Sequence, residues 1–300
     1  MAQRSELFKR VVTALPAAIV AIWAVLAGGA PLAALLAIAA ALSAWELFRM
    51  ARSAGLSPFA DVGIALAGIV PLIVHARYLA IWEPHLTLLA LLVPALLTLA
   101  LFARGVEGKP FGAAASTLFG ICYTGGMLSF AYAIRYHDYA YGDVAMHIAG
   151  RELHLASGGF LLVLPVLLTW ATDIGAYAVG RTLGGAKLMP SVSPGKTRSG
   201  AIGGVVTSVV VAWLFVRYSL QPAAQLSFTP LGIVLFGAGV SVAGQVGDLV
   251  ESMLKREAGV KDSSTLIPGH GGVLDRIDSL LFVLPVSYAL MGWLLIPAPR

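Results

Sequence analysis

Nine long apolar runs limit what this chain can fold into. An α-helix needs about 20 apolar residues to cross the hydrocarbon core of a bilayer, and each run approaches that length. Within the runs the apolar residues form unbroken blocks, whereas a membrane β-barrel alternates them at every second position. The sequence therefore predicts an all-α, polytopic transmembrane bundle of about nine spans, near residues 11–28, 31–48, 62–81, 86–103, 113–134, 160–180, 200–217, 231–250 and 279–297.

The composition agrees with a membrane protein. Hydrophobic residues make up 58% of the 300 residues and charged residues only 12%, against roughly 25% charged in an ordinary soluble domain. Cys122 is the only cysteine, so the chain can form neither an intrachain disulfide nor a cysteine zinc site. The first run is interpreted as an uncleaved span and not a secretory signal, because a second span follows almost at once.

The distribution of Lys and Arg predicts the orientation in the membrane. With nine spans and the N-terminus inside, 15 of the 20 basic residues fall on one side, which the positive-inside rule makes the cytoplasmic side. The other side keeps Arg77, Arg135, Arg151, Arg217 and Arg300. A basic face beside anionic lipid headgroups accounts for the net charge of +5 without a nucleic-acid partner. Ala-rich spans and the lack of an organellar presequence favour the bacterial inner membrane.

The two halves of the chain differ in their polar residues. Residues 1–110 have short connections and few charges, which predicts a scaffold of packed helices. There Glu46 and His75 are interpreted as lying near span ends, within reach of the interface, and no chemistry is assigned to them. Residues 111–300 are predicted to be the catalytic region, with cytoplasmic loops at 181–199 and 251–278. The segment from Arg135 to Gly159 is rich in His and acidic residues, but it faces the opposite side and is expected to be a solvated loop.

The first cytoplasmic loop has the composition of a phosphate-binding segment. Gly195-Lys196-Thr197 looks like the end of a P-loop, but Pro190 stands where that motif has its first glycine, and no strand is expected before it. A loop whose basic residues only set the topology is the alternative. Upstream, Asp173 lies inside the sixth run on one helical face with Tyr177 and Arg181, where it either takes part in function or ties helices together by pairing with a basic residue.

The segment from Gln245 to Ser279 carries the strongest signal. Asp248, Glu251, Ser252 and Lys255 occur at i, i+3, i+4 and i+7, which places all four on one face of a helix. Asp248 comes only about one turn after the apolar run, where a carboxylate is costly unless it is paired or bound to a metal.

A glycine turn and two further aspartates follow this helix. The turn at 268–272 is expected to be flexible, with exposed amides that approach phosphate oxygens. Asp275 and Asp278 then come one helical turn apart, at the start of the ninth span. Hard oxygen ligands beside Lys and Arg, with little His and no suitable Cys, indicate magnesium bound with a polyphosphate.

This segment resembles the signature of the phosphatidate cytidylyltransferase family, with unbroken spacing. The matching residues are Ser252, Leu254, Lys255, Arg256, Lys261, Asp262, Ser264, Ile267, Pro268, His270, Gly271, Gly272, Val273, Asp275, Arg276, Ile277 and Asp278. The Ser193-Pro-Gly-Lys196-Thr197 loop and the Asp173, Tyr177, Gly180 and Arg181 segment also resemble the family. The resemblance covers about 160–280, while the first spans resemble it only in hydropathy.

The resemblance implies that a phosphate oxygen of phosphatidic acid attacks the α-phosphorus of CTP, giving CDP-diacylglycerol and pyrophosphate. It implies a paired-metal centre with Asp248 and Asp275 as main ligands, and Asp262 and Asp278 as further ligands or as residues that orient Lys and Arg. The expected metal is Mg²⁺, with Mn²⁺ as the alternative and a second, monovalent ion left open. The expected catalytic cations are Lys255, Arg256, Lys261 and Arg276. The expected substrate-binding residues are Asp173, Arg181, Ser193, Lys196, Thr197, Ser252, His270, Gly271 and Gly272.

Three rival functions are kept open at this point. A CTP-dependent lipid kinase and an ether-lipid cytidylyltransferase use similar parts, and the identity of the product separates them. A secondary transporter also places carboxylates in the membrane, but its polar residues should gather near the midplane of two repeated halves, and no repeat is seen here. Exposed small-residue helix faces favour a homodimer, and the remaining expected partners are membrane lipids.

Overall fold

The structure is a computed structural model that describes residues 16, 18–140, 143–148, 151–267, 269 and 271–298. Most of the described chain is helical. The helices are α1 (Ala18–Ala27), α2 (Gly29–Ser53), α3 (Ala60–Tyr78), α4 (Leu86–Arg104), α5 (Pro110–Gly120), α6 (Met127–Arg135), α7 (Ser157–Leu183), α8 (Arg198–Phe215), α9 (Pro230–Glu257) and α10 (Leu274–Leu294). A π-helical turn, Ile121–Gly126, joins α5 to α6, and a second, Val216–Ala224, continues α8.

The predicted polytopic helical fold is confirmed. In the part of the chain that the structure describes, seven helices are long and apolar enough to cross a membrane, with α5, its π-helical turn and α6 forming one of them. Two shorter apolar segments, α1 and the part Ala90–Arg104 of α4, coincide with the first and fourth predicted spans. The start of the first predicted span lies outside the described residues. The chain is thus an integral membrane protein with helices where hydropathy predicts them.

Three short pairs of antiparallel strands were not predicted, and the first two of them are hairpins. Strand β1 (Asp143–Ile148) pairs with β2 (Arg151–Ala156), β3 (Lys187–Met189) with β4 (Ser193–Thr197), and β5 (Leu226–Phe228) with β6 (Leu295–Pro297). The connection between Arg135 and Gly159, which is expected to be a solvated loop, contains the β1–β2 pair. The expectation that no strand precedes Gly195-Lys196-Thr197 is wrong, because β3 precedes these residues and they end β4. Short hairpins satisfy backbone hydrogen bonds within each connection.

The chain packs as two compact units. The first comprises the described residues of Met1–Tyr132 together with Leu254–Ile277, and the second comprises Ala133–Met253 together with the described residues of Asp278–Arg300. The chain passes from one unit to the other within α6, within α9 and within α10. These boundaries differ from the predicted division at residue 110, which separates scaffold from catalytic region by function and stays a prediction.

In the first unit, α2 packs closely because its neighbours carry glycine. The ring of Phe48 is 1% exposed, and it fills the space that a side chain at Gly63 or Gly120 would occupy, since a Cβ at either position would overlap the ring. Phe48 shares a core with Ala44, Ala60 and Ala67. Small residues let helix backbones approach closely in membrane proteins, so α2 is held firmly between α3 and α5.

In the second unit, α7 and α8 approach through a stripe of glycines. A Cβ at Gly200 would lie 2.7 Å from the carbonyl oxygen of Ala176, and one at Gly180 would lie 2.9 Å from Oγ1 of Thr197. Helix α9 is tied to α8 because the Ser208 hydroxyl donates to the Gly237 carbonyl at 2.8 Å. These contacts place Thr197 and the first turn of α8 directly against α7.

His137, in the connection between α6 and α7, gives a prediction for stability against pH. Its ring is 9% exposed, stacks on Tyr139 with centroids 5.6 Å apart, and meets Tyr288 edge-on. Burial lowers the pKa of His137 below its ordinary 6.5, and the charge of Asp138 opposes this less strongly. The unfolded chain therefore binds more protons just below pH 6.5, and this contribution to stability is present above that pH and lost as pH falls.

We expect the stability of His137→Gln to fall less steeply than that of wild type as the pH drops below about 6.5. The measurement is the apparent unfolding temperature of detergent-solubilised protein between about pH 5 and pH 8. An unchanged slope in the variant would show that another group governs the acid side.

Candidate active site

Charged and hydroxyl side chains form two clusters, one in each unit. We call the first the Asp275 cluster, which consists of Glu46, Arg49, Lys255, Ser263, Ser264 and Asp275. We call the second the Asp248 cluster, which consists of Asp173, Tyr177, Arg181, Lys196, Asp248 and Ser252. Each contains residues that the sequence predicts to be functional, and each is described by itself.

Asp275 lies in the first turn of α10 and is surrounded by donors. Its Oδ1 accepts from the Lys255 ammonium at 2.7 Å, and the two side chains are 7% and 12% exposed. Its Oδ2 accepts from the Ser263 hydroxyl at 2.8 Å and from the Gly272 amide at 2.7 Å, while the Ser263 amide reaches both oxygens at 3.0 and 3.2 Å. A carboxylate offers about four acceptor positions, so these donors saturate Asp275.

The glycine turn before α10 is shaped by the same carboxylates. Gly271 has φ of +79°, a conformation that suits glycine, and its carbonyl oxygen accepts from the Ile267 amide at 2.8 Å. A Cβ at Gly272 would overlap Ser263 and Glu46. The predicted exposure of the turn's amides is wrong for Gly272, which is buried and donates to Asp275. The roles of Gly271 and Gly272 in substrate binding stay predictions, and His270 lies outside the described residues.

Glu46 is the functional candidate that the sequence interpretation missed. Its side chain is 0% exposed, so the interpretation that it reaches the interface is wrong. Its carboxylate accepts from the hydroxyls of Ser263 and Ser264 at 3.1 and 2.5 Å, and from the amides of Val273 and Leu274 at 2.9 and 2.7 Å. A signal was present, because Glu46 falls inside the second apolar run, and an ionisable residue there is a candidate by default.

The Asp248 cluster is more open. The Lys196 ammonium lies 2.6 Å from Oδ2 of Asp248, and these side chains are 29% and 32% exposed. The Ser252 hydroxyl donates to Oδ1 of Asp248 at 3.3 Å, which agrees with the predicted shared helical face. Thr197 caps α8, since its hydroxyl accepts from the Gly200 amide at 3.1 Å. The cap fixes the backbone beside Lys196 at the point where the loop becomes a helix.

A cavity of about 400 Å³ opens beside this ion pair. That volume is in the range of small-molecule sites. Asp173, Tyr177 and Arg181 line it from α7, as their shared helical face predicts, and the Arg181 guanidinium donates to the Tyr177 hydroxyl at 2.6 Å. Lys196, Thr197 and Gln245 line it from the other elements. Two cations and two hydroxyls at one cavity suit an anionic ligand such as a phosphate.

The arrangement of the carboxylates determines whether they can hold Mg²⁺. Among the described residues, no group of three or more His, Cys, Asp or Glu is positioned to hold a metal. Mg²⁺ often uses only one or two carboxylates together with waters and substrate phosphates. Asp248 lies beside the cavity that Asp173 lines, and it could take part in that mode if the Lys196 ammonium, 2.6 Å from its Oδ2, moved aside. Asp275 could hold a metal only if Lys255 left it, so its ligand role stays a prediction.

The other predicted site residues are less engaged. Arg256 is exposed and donates to the Val260 carbonyl at 3.1 Å. The side chains of Lys261, Asp262 and Arg276 are exposed, Ser193 begins β4, and Asp278 is half-buried in α10, where its carboxylate accepts from the Ser279 amide. These residues keep their predicted roles as predictions, since no contact described here tests them.

The fold defines an integral-membrane α-helical protein, and its second unit contains a cavity lined by Asp173, Arg181 and Lys196. The chain belongs to the cytidylyltransferase family, whose model matches residues 8–294. This match confirms the family resemblance and extends it beyond 160–280 into the first spans.

Relatives with the name phosphatidate cytidylyltransferase match in two ways. One from Haemophilus influenzae is 50% identical over 129 residues, which are 43% of this chain and 44% of that protein. This chain thus spans less than half the length of that relative. One from Synechocystis is 32% identical over 93% of this chain and 94% of the relative. One from Staphylococcus aureus is 33% identical over 94% and 98% respectively.

Proposed function

We propose that this chain is a phosphatidate cytidylyltransferase, which converts CTP and phosphatidic acid into CDP-diacylglycerol and pyrophosphate. The observation that carries the proposal is similarity along almost the whole chain to relatives of that name. The unbroken signature from Ser252 to Asp278 and the cavity beside Lys196 and Asp248 support it. Phosphoryl and nucleotidyl transfer depend mainly on positioning and on neutralising charge, and both clusters supply groups of that kind.

The reaction balances without a strong general base. A phosphate oxygen of phosphatidic acid forms a bond to the α-phosphorus of CTP, and the bond from that phosphorus to the bridging oxygen of the β-phosphate breaks. The bonding electrons leave with pyrophosphate. The attacking phosphate is already anionic at neutral pH, so His270 need not remove a proton.

Side chains of the Asp248 cluster have defined parts in this proposal. Lys196 and Arg181 bind phosphate oxygens in the cavity, and Thr197 keeps the backbone beside Lys196 in place. Asp248 orients Lys196 through the ion pair and, with Asp173, would hold Mg²⁺. When bound, the metal would act as a Lewis acid that polarises phosphate oxygens and neutralises their charge. Mn²⁺ is the alternative metal.

The location proposed for the protein is the bacterial inner membrane, with the N-terminus and the loops 181–199 and 251–278 in the cytoplasm. The relatives are bacterial, and most basic residues fall on the proposed cytoplasmic side. This arrangement would bring CTP from the cytosol to loops beside the membrane, while the diacyl tails of the lipid stay in the bilayer. A homodimer is also proposed, because small residues occupy several helix faces.

Label transfer from CTP tests the proposal. Purified protein in detergent receives phosphatidic acid, Mg²⁺ and CTP labelled either in the cytidine or at the γ-phosphate. We expect cytidine label in the lipid phase and γ-label in pyrophosphate. Transfer of γ-label to lipid would mean a CTP-dependent lipid kinase instead. No lipid labelling with phosphatidic acid, but labelling with an ether-linked acceptor, would mean an ether-lipid cytidylyltransferase, and no labelling with either would favour the transporter.

A further inference from the structure

We propose that Glu46 is a positioning residue for the reaction, which acts through Ser263 to hold Asp275 in place. The inference rests on the proposed function, in which Asp275 belongs to the active site. Glu46 comes from α2, in the half of the chain that the sequence assigns to a scaffold. All the contacts that carry the inference lie within the first unit.

The buried Glu46 carboxylate is surrounded by hydrogen-bond donors. A fully buried carboxylate is strongly destabilising unless hydrogen bonds and charges compensate for its lost hydration. Glu46 accepts from the Ser264 hydroxyl and from two backbone amides, and it shares the single Ser263 hydroxyl proton with Asp275; all four groups lie within residues 263–274 and more than 200 positions away in sequence. A buried network that is fully satisfied rigidifies its members and selects one arrangement. The carboxylate therefore fixes both ends of the signature turn at once.

Ser263 links Glu46 to Asp275. Its hydroxyl lies 3.1 Å from Oε2 of Glu46 and 2.8 Å from Oδ2 of Asp275. Its amide donates to Asp275, and its carbonyl oxygen accepts from the Arg49 guanidinium at 2.7 Å. Ser263 is therefore held by α2 on one side and holds Asp275 on the other. A change at Glu46 can therefore reach Asp275 directly through this residue.

Glu46 also holds the start of α10. Val273 and Leu274 come directly before Asp275, and their amides donate to Glu46. The first amides of a helix have no partners within it, so Glu46 supplies acceptors that hold the helix end. A negative charge is also favourable beside a helix N-terminus. Glu46 thus sets the backbone from which the Asp275 side chain projects.

Helix α2, which carries Glu46 and Arg49, is itself tightly packed. Glu46 and Arg49 are three residues apart on one face of α2. Phe48 lies between them in sequence and fits against Gly63 and Gly120 without spare room. The contacts from α2 to residues 263–274 therefore start from a fixed helix. Polar groups that orient an active-site residue typically change activity about 10–100-fold when removed.

The test uses Glu46→Gln, with Asp61→Asn as the matched control. Asp61 is an exposed carboxylate at the start of α3 and touches neither cluster in the structure described. We expect Glu46→Gln to lower kcat about 10–100-fold and to leave KM for CTP nearly unchanged, because it affects positioning and not binding. Hydrogen exchange should become faster in peptides covering 263–275 and stay unchanged in peptides from α7 and α8. Asp61→Asn should match wild type in every measurement.

Ser263→Ala gives a second route to the same answer. It removes the hydroxyl link but leaves the other three donors to Glu46, and it should lower kcat to a similar extent. The double variant should be no worse than the more severe single variant, because both act through one connection. The inference would be overturned if the folded variants kept the wild-type kcat. It would also be overturned if kcat fell only in proportion to the fraction of protein that is folded. If wild type made no CDP-diacylglycerol, the proposed function would fail, while hydrogen exchange would still decide whether Glu46 orders 263–275.

Discussion

Asp248→Asn should reduce turnover about 10³-fold while the protein folds and inserts as wild type does. The carboxylate faces the Lys196 ammonium at 2.6 Å beside the cavity, and both side chains are about one-third exposed. A partly exposed ion pair of this kind contributes only about 0–1 kcal/mol to stability. Its loss should therefore not unfold the protein. The amide would remove the charge that orients Lys196 and holds Mg²⁺, and activity should suffer far more than stability.

The measurement is cytidine-label transfer to phosphatidic acid over a range of Mg²⁺ concentrations, with apparent unfolding temperature recorded for the same preparations. Asp138→Asn is the control, because Asp138 is an exposed carboxylate of the same unit outside the cavity, and it should behave as wild type. Turnover by Asp248→Asn above about a tenth of the wild-type value would remove Asp248 from the metal site.

Helices were predictable from the sequence because hydropathy acts within each segment. A helix in lipid satisfies all its backbone hydrogen bonds internally, so an apolar run of sufficient length has few alternatives. The main differences between the predicted spans and the helices of the structure lie at the helix ends. Helix α9 continues to Glu257, seven residues beyond the predicted span, because the polar face with Asp248, Ser252 and Lys255 is still helical. The strand pairs were missed because their strands are only three to six residues long, too short for a periodic pattern to stand out.

Contacts within one helix were also predictable, whereas contacts between distant segments were not. The hydrogen bond from Ser252 to Asp248 follows from the helical period. The pairing of Lys196 with Asp248 and the contacts of Glu46 join residues from 52 to 228 positions apart, and no local pattern specifies them. The glycine turn shows the consequence, because the Gly272 amide, expected to meet a phosphate, instead donates to the Asp275 carboxylate. Glycine content indicated a close approach to an anion but not which anion.

Asp275→Asn should lose both turnover and stability, unlike Asp248→Asn. The pair of Asp275 with Lys255 is 7% and 12% exposed, and removing one partner of a buried ion pair costs about 3–5 kcal/mol because the other charge stays buried. The asparagine NH₂ would also face donors of Ser263 or Gly272. We expect turnover to fall about 10³-fold, and the apparent unfolding temperature in detergent to fall clearly below that of wild type.

A second variant separates the two losses. Lys255→Met together with Asp275→Asn leaves no unpaired charge, so it should recover most of the lost stability, as neutral replacements of buried ion pairs often do. It should recover no turnover, because the carboxylate is still missing. If the double variant regained activity together with its unfolding temperature, Asp275 would serve only the fold, and the carboxylate chemistry would rest on the Asp248 cluster alone. Recovery of stability without activity would keep Asp275 in the reaction, with Lys255 as the group that holds its charge until substrate binds.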